Sequence, residues 1–524
     1  MSQSQNRLPL KKISFGKVDA RYEVNTRDPA DIQHFRSSFL EPAGIAVDEF
    51  KKGNQFFVHG VKGAGKTAFL RYLQLLAEEE GSFTRFTSFA TEISDNERDK
   101  IYNLSGIETF EQGEIEEKRT AVDVWLIFIF RILAKLIEEN RSVFTSHKNI
   151  TTFCSLIRKF YDGHEGKKLL NWLTETLKTG KYKVKSKHLE ADLKGSSGEE
   201  DKELPVSYII EQAFRLLKEL GWEGRKGIYI FFDELNISFS SKVTHKRDIV
   251  IIRDLIIAID RINSFFIEEH KPIYVLAAVR SEVLNALNAP THEVNKILTG
   301  RGQELRWFAK TAGSNWPIAR LFEKKVRASE KIEKSKESAD VFDAYFRRDV
   351  FGLSPQSFLI EATWCNPRDV VHLFGHAVKY ATPHDMYFDG TVISRVLPEY
   401  SSSSWQEKAE ELSVEYAMQE IQALKKGLMN FRRHFKVRHF ETNFRMRAET
   451  DATMKMMLTK FDLNKIMEDL FRIGVLGQSS KEPDEKGNSF AQHWVYRGDN
   501  TFDPMAWLIV HKALWPELRL GRMG

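Results

Sequence analysis

Residues 60–67 read Gly60-Val61-Lys62-Gly63-Ala64-Gly65-Lys66-Thr67, which follows the spacing G-x-x-x-x-G-K-[ST] without deviation. Each fixed type has a chemical reason. Glycines let the backbone take positive φ and turn successive N–H groups onto one phosphate-sized concavity. A helix starting near Gly65 would aim its positive end at the same anion. Lys66 supplies a point charge for β- and γ-phosphates, and the Thr67 hydroxyl can ligate Mg²⁺. Gly60, Gly63, Ala64, Gly65, Lys66, Thr67 and the following Phe69 are therefore expected around ATP and Mg²⁺. An ordinary glycine-rich turn is the alternative. The context disfavours it, because the β-prone run Gln55–His59 precedes the loop and the helical run Ala68–Leu76 follows it.

A second chemical pair ends the apolar run Gly227–Phe232: Asp233 and Glu234. A strand buried on both faces delivers such residues at its carboxyl end, where ligands bind in open α/β sheets. Asp233 is expected to hold Mg²⁺, and Glu234 to orient and deprotonate an attacking water. A solvated acidic turn is the competing reading. Together the two motifs resemble the Walker A and Walker B motifs of the additional-strand, catalytic-glutamate P-loop ATPases. A third apolar run, Pro272–Val279, ends in Arg280, which resembles the phosphate sensor of the STAND and origin-recognition-like branches of the AAA+ group. Cys365-Asn366-Pro367-Arg368-Asp369 resembles the second sensor of AAA+ proteins, in which Arg368 reaches the phosphates from a helical lid. That resemblance implies a catalytic set of Glu234, Lys66, Arg280 and Arg368. A structural ion pair is the plain alternative for either arginine. Arg301 and Arg306 are candidates for an arginine finger. The opening Ile13–Ala20, with these motifs, resembles a bacterial group whose members often occur in phage-defence or mobile-element settings.

These residues need elements to hold them. Strands alternating with helices imply α/β architecture. The expected fold is a P-loop NTPase core with a central parallel sheet over 1–310, then a helical lid over 311–400. A basic helical segment and winged-helix module follow over 401–524. The two motifs are far apart for such a core, so a helical insertion (about 95–205) must interrupt the sheet. Within it, Val122–Ile137 has helical apolar spacing and reads as a packed helix. Residues 179–203 are rich in Lys, Glu, Gly and Ser and read as a flexible surface loop. Near the C-terminus, helix 462–473 followed by a hairpin of Gly474–Gly477 with His493–Tyr496 makes the winged-helix pattern.

The chain has 524 residues, 42% of them hydrophobic and 29% charged, enough for about three or four folded domains. Lys and Arg number 78 against 73 Asp and Glu, a balance of +5 that excludes nucleic-acid binding by bulk charge. Two cysteines cannot build a disulfide framework or a zinc site alone. The most apolar run, Val124–Phe130, is far short of the roughly 20 residues that cross a bilayer. A cytoplasmic protein without membrane contact is expected.

The charge is uneven. Lys425–Arg447 alone carries +7, leaving −2 for the rest. Phe431, Phe435, Phe440 and Phe444 have i,i+4 spacings that read as a core face, with Arg432, Arg433, Lys436, Arg438, Arg445 and Arg447 projecting outward. The expected partner is DNA or RNA, through phosphate contacts, or an effector protein; a solvated helix or a docking surface for an acidic partner protein is the alternative. Helix 462–473 carries only Lys465 and Arg472 as basic residues, which does not suit sequence-specific base reading. The leading expectation is an ATP-hydrolysing AAA+/STAND-like protein coupling nucleotide state to its C-terminal module, in antiviral defence or DNA transactions. The alternative is a STAND-like switch that assembles with ATP, as a homo-oligomer, and hydrolyses it slowly.

Overall fold

The computed structural model describes residues 7–24, 28–104, 122–145, 147–158, 181–184, 202–223, 226–235, 242–281, 283–284, 292–308, 316–347, 349–483 and 492–520. Its centre is a five-stranded parallel sheet. The strands are β1 (Phe57–Gly60), β2 (Phe83–Ser88), β3 (Ile228–Leu235), β4 (Ile273–Arg280) and β5 (Gly302–Glu304). Their spatial order is β2-β3-β4-β1-β5, so β4 lies between β1 and β3. The registers pair Gly60 with Arg280 and Ser88 with Asp233. All the carboxyl ends therefore meet at one edge of the sheet.

Side chains alternate across this sheet, as a pleated strand requires. Ile228, Ile230 and Phe232 join one apolar core, while Tyr229 and Phe231 join the other. The first core is covered by α2 (Val122–Glu139) and α3 (Lys242–Glu268), and the second by α1 (Lys66–Glu79). The expected packed helix at 122–137 is present, with Trp125, Leu126, Ile129 and Leu133 fully buried. Within 179–203 the structure departs from a loop. Lys181–Val184 pairs antiparallel with Lys202–Pro205, and the intervening residues lie outside the described ones.

A third core is built from the opening residues Leu8, Leu10, Ile13 and Phe15 together with residues from 307 to 520. Its helices include α4 (Pro317–Ile332), α5 (Pro367–Lys379) and α6 (Gly390–Leu412). The Phe15 ring lies 5.3 Å from Phe322 and 5.6 Å from Phe374, tying the N-terminal segment to α4 and α5. α6 runs straight across residue 400, the expected domain boundary.

The C-terminal part holds α7 (Val437–Ala448), α8 (Leu463–Arg472) and a second sheet. Its strands are β6 (His434–Phe435), β7 (Leu476–Ser479), β8 (Gln492–His493) and β9 (Trp507–Val510), ordered β8-β7-β9-β6 and antiparallel. The expected hairpin is thus only partly right. β7 pairs chiefly with β9, an apolar run absent from the sequence reading. Of the expected second strand, His493 belongs to β8 and Val495–Arg497 is a 3-10 turn. The Trp494 indole covers Gly477, where a Cβ would stand 2.5 Å from the ring. Phe431, Phe435, Phe440 and Phe444 are all buried, as expected. Only the last two share a helix, because Phe435 lies in β6. Among the described residues no helix is long and apolar enough to cross a membrane.

Candidate functional site

α1 begins at Lys66, with Gly65 as its N-cap at φ +91 and no side-chain cap. Its first N–H groups have no acceptor within the helix and point into the loop. Gly63, at φ +85, lies so close to α5 that a Cβ would stand 2.6 Å from the Asn366 amide. Here only glycine fits, both for conformation and for space. The loop is braced from behind by Trp307, whose buried indole N–H donates to the Ala64 carbonyl at 2.8 Å. The Lys66 ammonium donates to the carbonyls of Gly60 and Val61, at 2.8 and 2.9 Å.

Two of the expected loop contacts take other roles. Phe69 is fully buried against Phe50, with ring centroids 5.0 Å apart, and its N–H is used by the Gly65 carbonyl. It is a core residue because it lies a turn inside the helix, where N–H groups are already paired. The Ala64 N–H is likewise turned to the Val61 carbonyl. Gly63, Gly65, Lys66 and Thr67 line the open cleft.

Asp233 and Glu234 end β3 at an irregularity in the pairing with β4. Such a bulge re-aims side chains. Asp233 is buried, and burial pushes its carboxyl up from the ordinary carboxylate range, while a hydrogen bond from Thr67 opposes that shift. Its Oδ2 is buried without a hydrogen-bond partner. An orphaned carboxylate oxygen beside a threonine hydroxyl suits a hard divalent cation with oxygen ligands. Thr67 and Asp233 therefore fit Mg²⁺.

Glu234 stands in the left-handed region at φ +57, a conformation that costs a non-glycine residue roughly 1 kcal/mol. Its carboxylate is held from two sides. Arg21 makes an ion pair to Oε1, and the Ser88 hydroxyl donates to Oε2. Arg21 in turn is gripped by Asp19, with Nε 2.9 and 3.0 Å from the two carboxylate oxygens. Asp19, Arg21 and Ser88 were not legible as site residues from the sequence. Ser88 had a faint signal, as the end of an alternating β-prone run.

The cleft is lined by the phosphate-loop residues, Asp233, Glu234, Arg280 and Arg368, together with the N-terminal segment around Asp19 and Arg21. Arg368 enters at the start of α5. Its backbone N–H donates to the Gly63 carbonyl at 3.3 Å, and its guanidinium reaches Glu407 at 3.5 Å. The neighbouring Asp369 does not pair with Arg368. It is buried and accepts from the Trp364 N–H at 3.2 Å. Burial, and then the nearby Glu407, push its carboxyl up to about 7. Asn366 caps α5 by accepting from the N–H groups of Arg368 and Asp369, and its amide donates to the Lys62 carbonyl at 3.3 Å. Lys62 also pairs with Glu410 of α6 at 3.1 Å. The phosphate loop is therefore tied to the helical region by three separate contacts.

Arg306 pairs with Glu304, and Arg301 sits over the Phe56 ring. The basic C-terminal set divides. Arg433 stacks on Trp515 at 3.9 Å, and Arg447 donates to the carbonyls of Lys426 and Met429. Arg445 pairs with Glu441, while Lys425 and Lys426 pair with Glu517 and Asp451. Arg432 and Arg438 are exposed, and Lys436 is half-buried against Trp507. The expectation that all six project outward therefore fails for Arg433 and Arg447, whose side chains complete the fold of the module. No family model matches this chain, and no curated protein matches it at a significant level.

Proposed function

We propose that the chain binds ATP with Mg²⁺ in this cleft and hydrolyses it, as a P-loop ATPase of the AAA+/STAND-like type. The observation that carries the reading is convergence at one sheet edge. The phosphate loop, the Asp233–Glu234 pair, Arg280 and Arg368 all line one cleft. The interposed β4, carrying Arg280 between β1 and β3, supports the additional-strand branch. Helices 317–412 then act as the lid. The helix–strand–helices–sheet order over 418–510 supports a winged-helix module. Its exposed Arg432 and Arg438, with the half-buried Lys436, are the proposed contacts to nucleic-acid phosphates. The resemblance extends the proposal to antiviral defence or DNA transactions.

In the reaction, the N–H groups opening α1 hold the phosphates, and the Lys66 ammonium exchanges two loop carbonyls for phosphate oxygens. Mg²⁺, held by Thr67 and Asp233, would neutralise charge on the phosphates. Glu234 exchanges Arg21 and Ser88 for the attacking water and accepts its proton. Lys66→Ala is expected to abolish nucleotide binding. Glu234→Gln is expected to keep binding and lose about 100-fold or more in turnover. Normal turnover by Glu234→Gln would overturn the catalytic assignment.

A second reading, a switch that assembles with ATP and turns over slowly, is favoured by one observation: Glu234 is engaged by Arg21 and Ser88. Turnover and molecular mass measured together, with ATP, ADP, DNA and RNA, separate the two readings.

A further inference from the structure

Two buried charges also line this cleft, Glu23 from the N-terminal segment and Lys325 from α4. Glu23 is 6% exposed and Lys325 7%. The Lys325 ammonium makes no hydrogen bond or ion pair among the described residues. Burial pushes its pKa down and that of Glu23 up, and each is the other's main opposing charge. The Glu23 carboxylate accepts from the Lys17 backbone N–H. Beside them the buried His34 Nε2 also lacks a partner, and burial, then Lys325, holds that ring's pKa near 4, so it is neutral. Phe35, Leu321 and Val371 supply apolar surface to the cleft.

An ammonium buried without an acceptor is costly, and a charge pair that does not close on itself recovers little of that cost. Both groups line a cleft that also offers apolar surface, and small-molecule sites pair such surface with a few orienting polar groups. Resting on the nucleotide reading above, we propose that Glu23 and Lys325 read the base, selecting adenine. The adenine 6-amino group donates to Glu23, and a ring nitrogen accepts from Lys325. Guanine carries a carbonyl oxygen where adenine has the amino group. In the same pose that carbonyl would face the Glu23 carboxylate, acceptor against acceptor.

The test measures binding of ATP, GTP, purine riboside triphosphate and tripolyphosphate to the full chain by competition. The proteins are wild type, Lys325→Met, Glu23→Gln and the double variant, each checked for an intact unfolding transition. A hydrogen bond to a charged group corresponds to about a 10- to 100-fold change in affinity. Wild type should prefer ATP over GTP, and over purine riboside triphosphate, by that factor. Lys325→Met should lose ATP affinity by a similar factor, with tripolyphosphate unchanged. Glu23→Gln should erase the penalty for removing the 6-amino group. Equal ATP and GTP affinity in wild type would overturn the inference, as would a Lys325→Met protein with unchanged ATP affinity. If wild type binds neither ATP nor tripolyphosphate, the nucleotide reading itself falls and the base-reading pair with it.

Discussion

Glu234 owes its position to two neighbours from distant parts of the chain. Arg21 and Ser88 between them engage both of its carboxylate oxygens. Both oxygens are already engaged, so Glu234 must exchange a contact before it can orient an attacking water, and freeing it should raise basal hydrolysis. Arg21→Ala is expected to raise basal ATP turnover severalfold at unchanged nucleotide affinity. A fall in turnover would make Arg21 part of the catalytic machinery instead. Asp369 supports a second prediction. Its carboxyl is pushed up from 3.8 to about 7, by burial and then by Glu407. A raised carboxyl contributes stability that is complete below its ordinary value and is lost as pH rises through its folded value. Asp369→Asn keeps an acceptor for the Trp364 N–H and removes the charge. The unfolding temperature of wild type should therefore fall against that of the variant between about pH 4 and pH 7. A constant gap across that range would refute the assignment.

At the scale of elements, the join between the helical region and the C-terminal module runs through Trp364. Its indole stacks on His511 at 3.9 Å and 10°, and its Nε1 donates to the Gly474 carbonyl at 2.8 Å. Two residues later, Asn366 touches the phosphate loop. Movement of that loop therefore has a short path to α8 and β7. Trp364→Ala is expected to cost about 3–5 kcal/mol in unfolding free energy by denaturation, through loss of a buried indole. It should also uncouple any DNA or RNA stimulation of turnover from nucleotide binding. An unchanged stimulation in a folded variant would refute the path. The elements themselves were unequally legible. β3 and β4 contain continuous apolar runs and β1 a shorter, mostly apolar one, which announce buried parallel strands. β2 was missed because it is an edge strand, largely half-exposed, and β5 because it is three residues long.

For the whole molecule, the basic segment is less of a charge reservoir than its composition implies. Of the +7 between Lys425 and Arg447, most is met by Glu517, Asp451, Glu441, backbone carbonyls and the Trp515 ring. Arg432, Lys436 and Arg438 remain for phosphates. Counterion release then predicts a slope of log affinity against log salt of roughly −3 for duplex DNA. A slope near −6, or binding that survives Ala at all three positions, would refute this count. Leu8, Leu10, Ile13 and Phe15 share one core with buried residues between 307 and 520, so the cleft is lined by chain from both parts of the sequence.

What the sequence alone determined is what local spacing encodes. That covers the phosphate loop, the acidic pair after a buried strand, the α/β pattern and the packed aromatic face at 431–444. These follow from backbone periodicity and from fixed geometric demands of phosphate binding, which neighbouring residues meet by themselves. Only the tertiary structure decided which distant groups answer them. It put β4 between β1 and β3, set Asp19 and Arg21 against Glu234, drew Asn366 onto Gly63, and buried Glu23 and Lys325 in one wall. It also turned Arg433 and Arg447 inward. Such pairings carry no sequence period, because they depend on where long-range packing brings two segments, and burial rather than residue type sets what each charge can do.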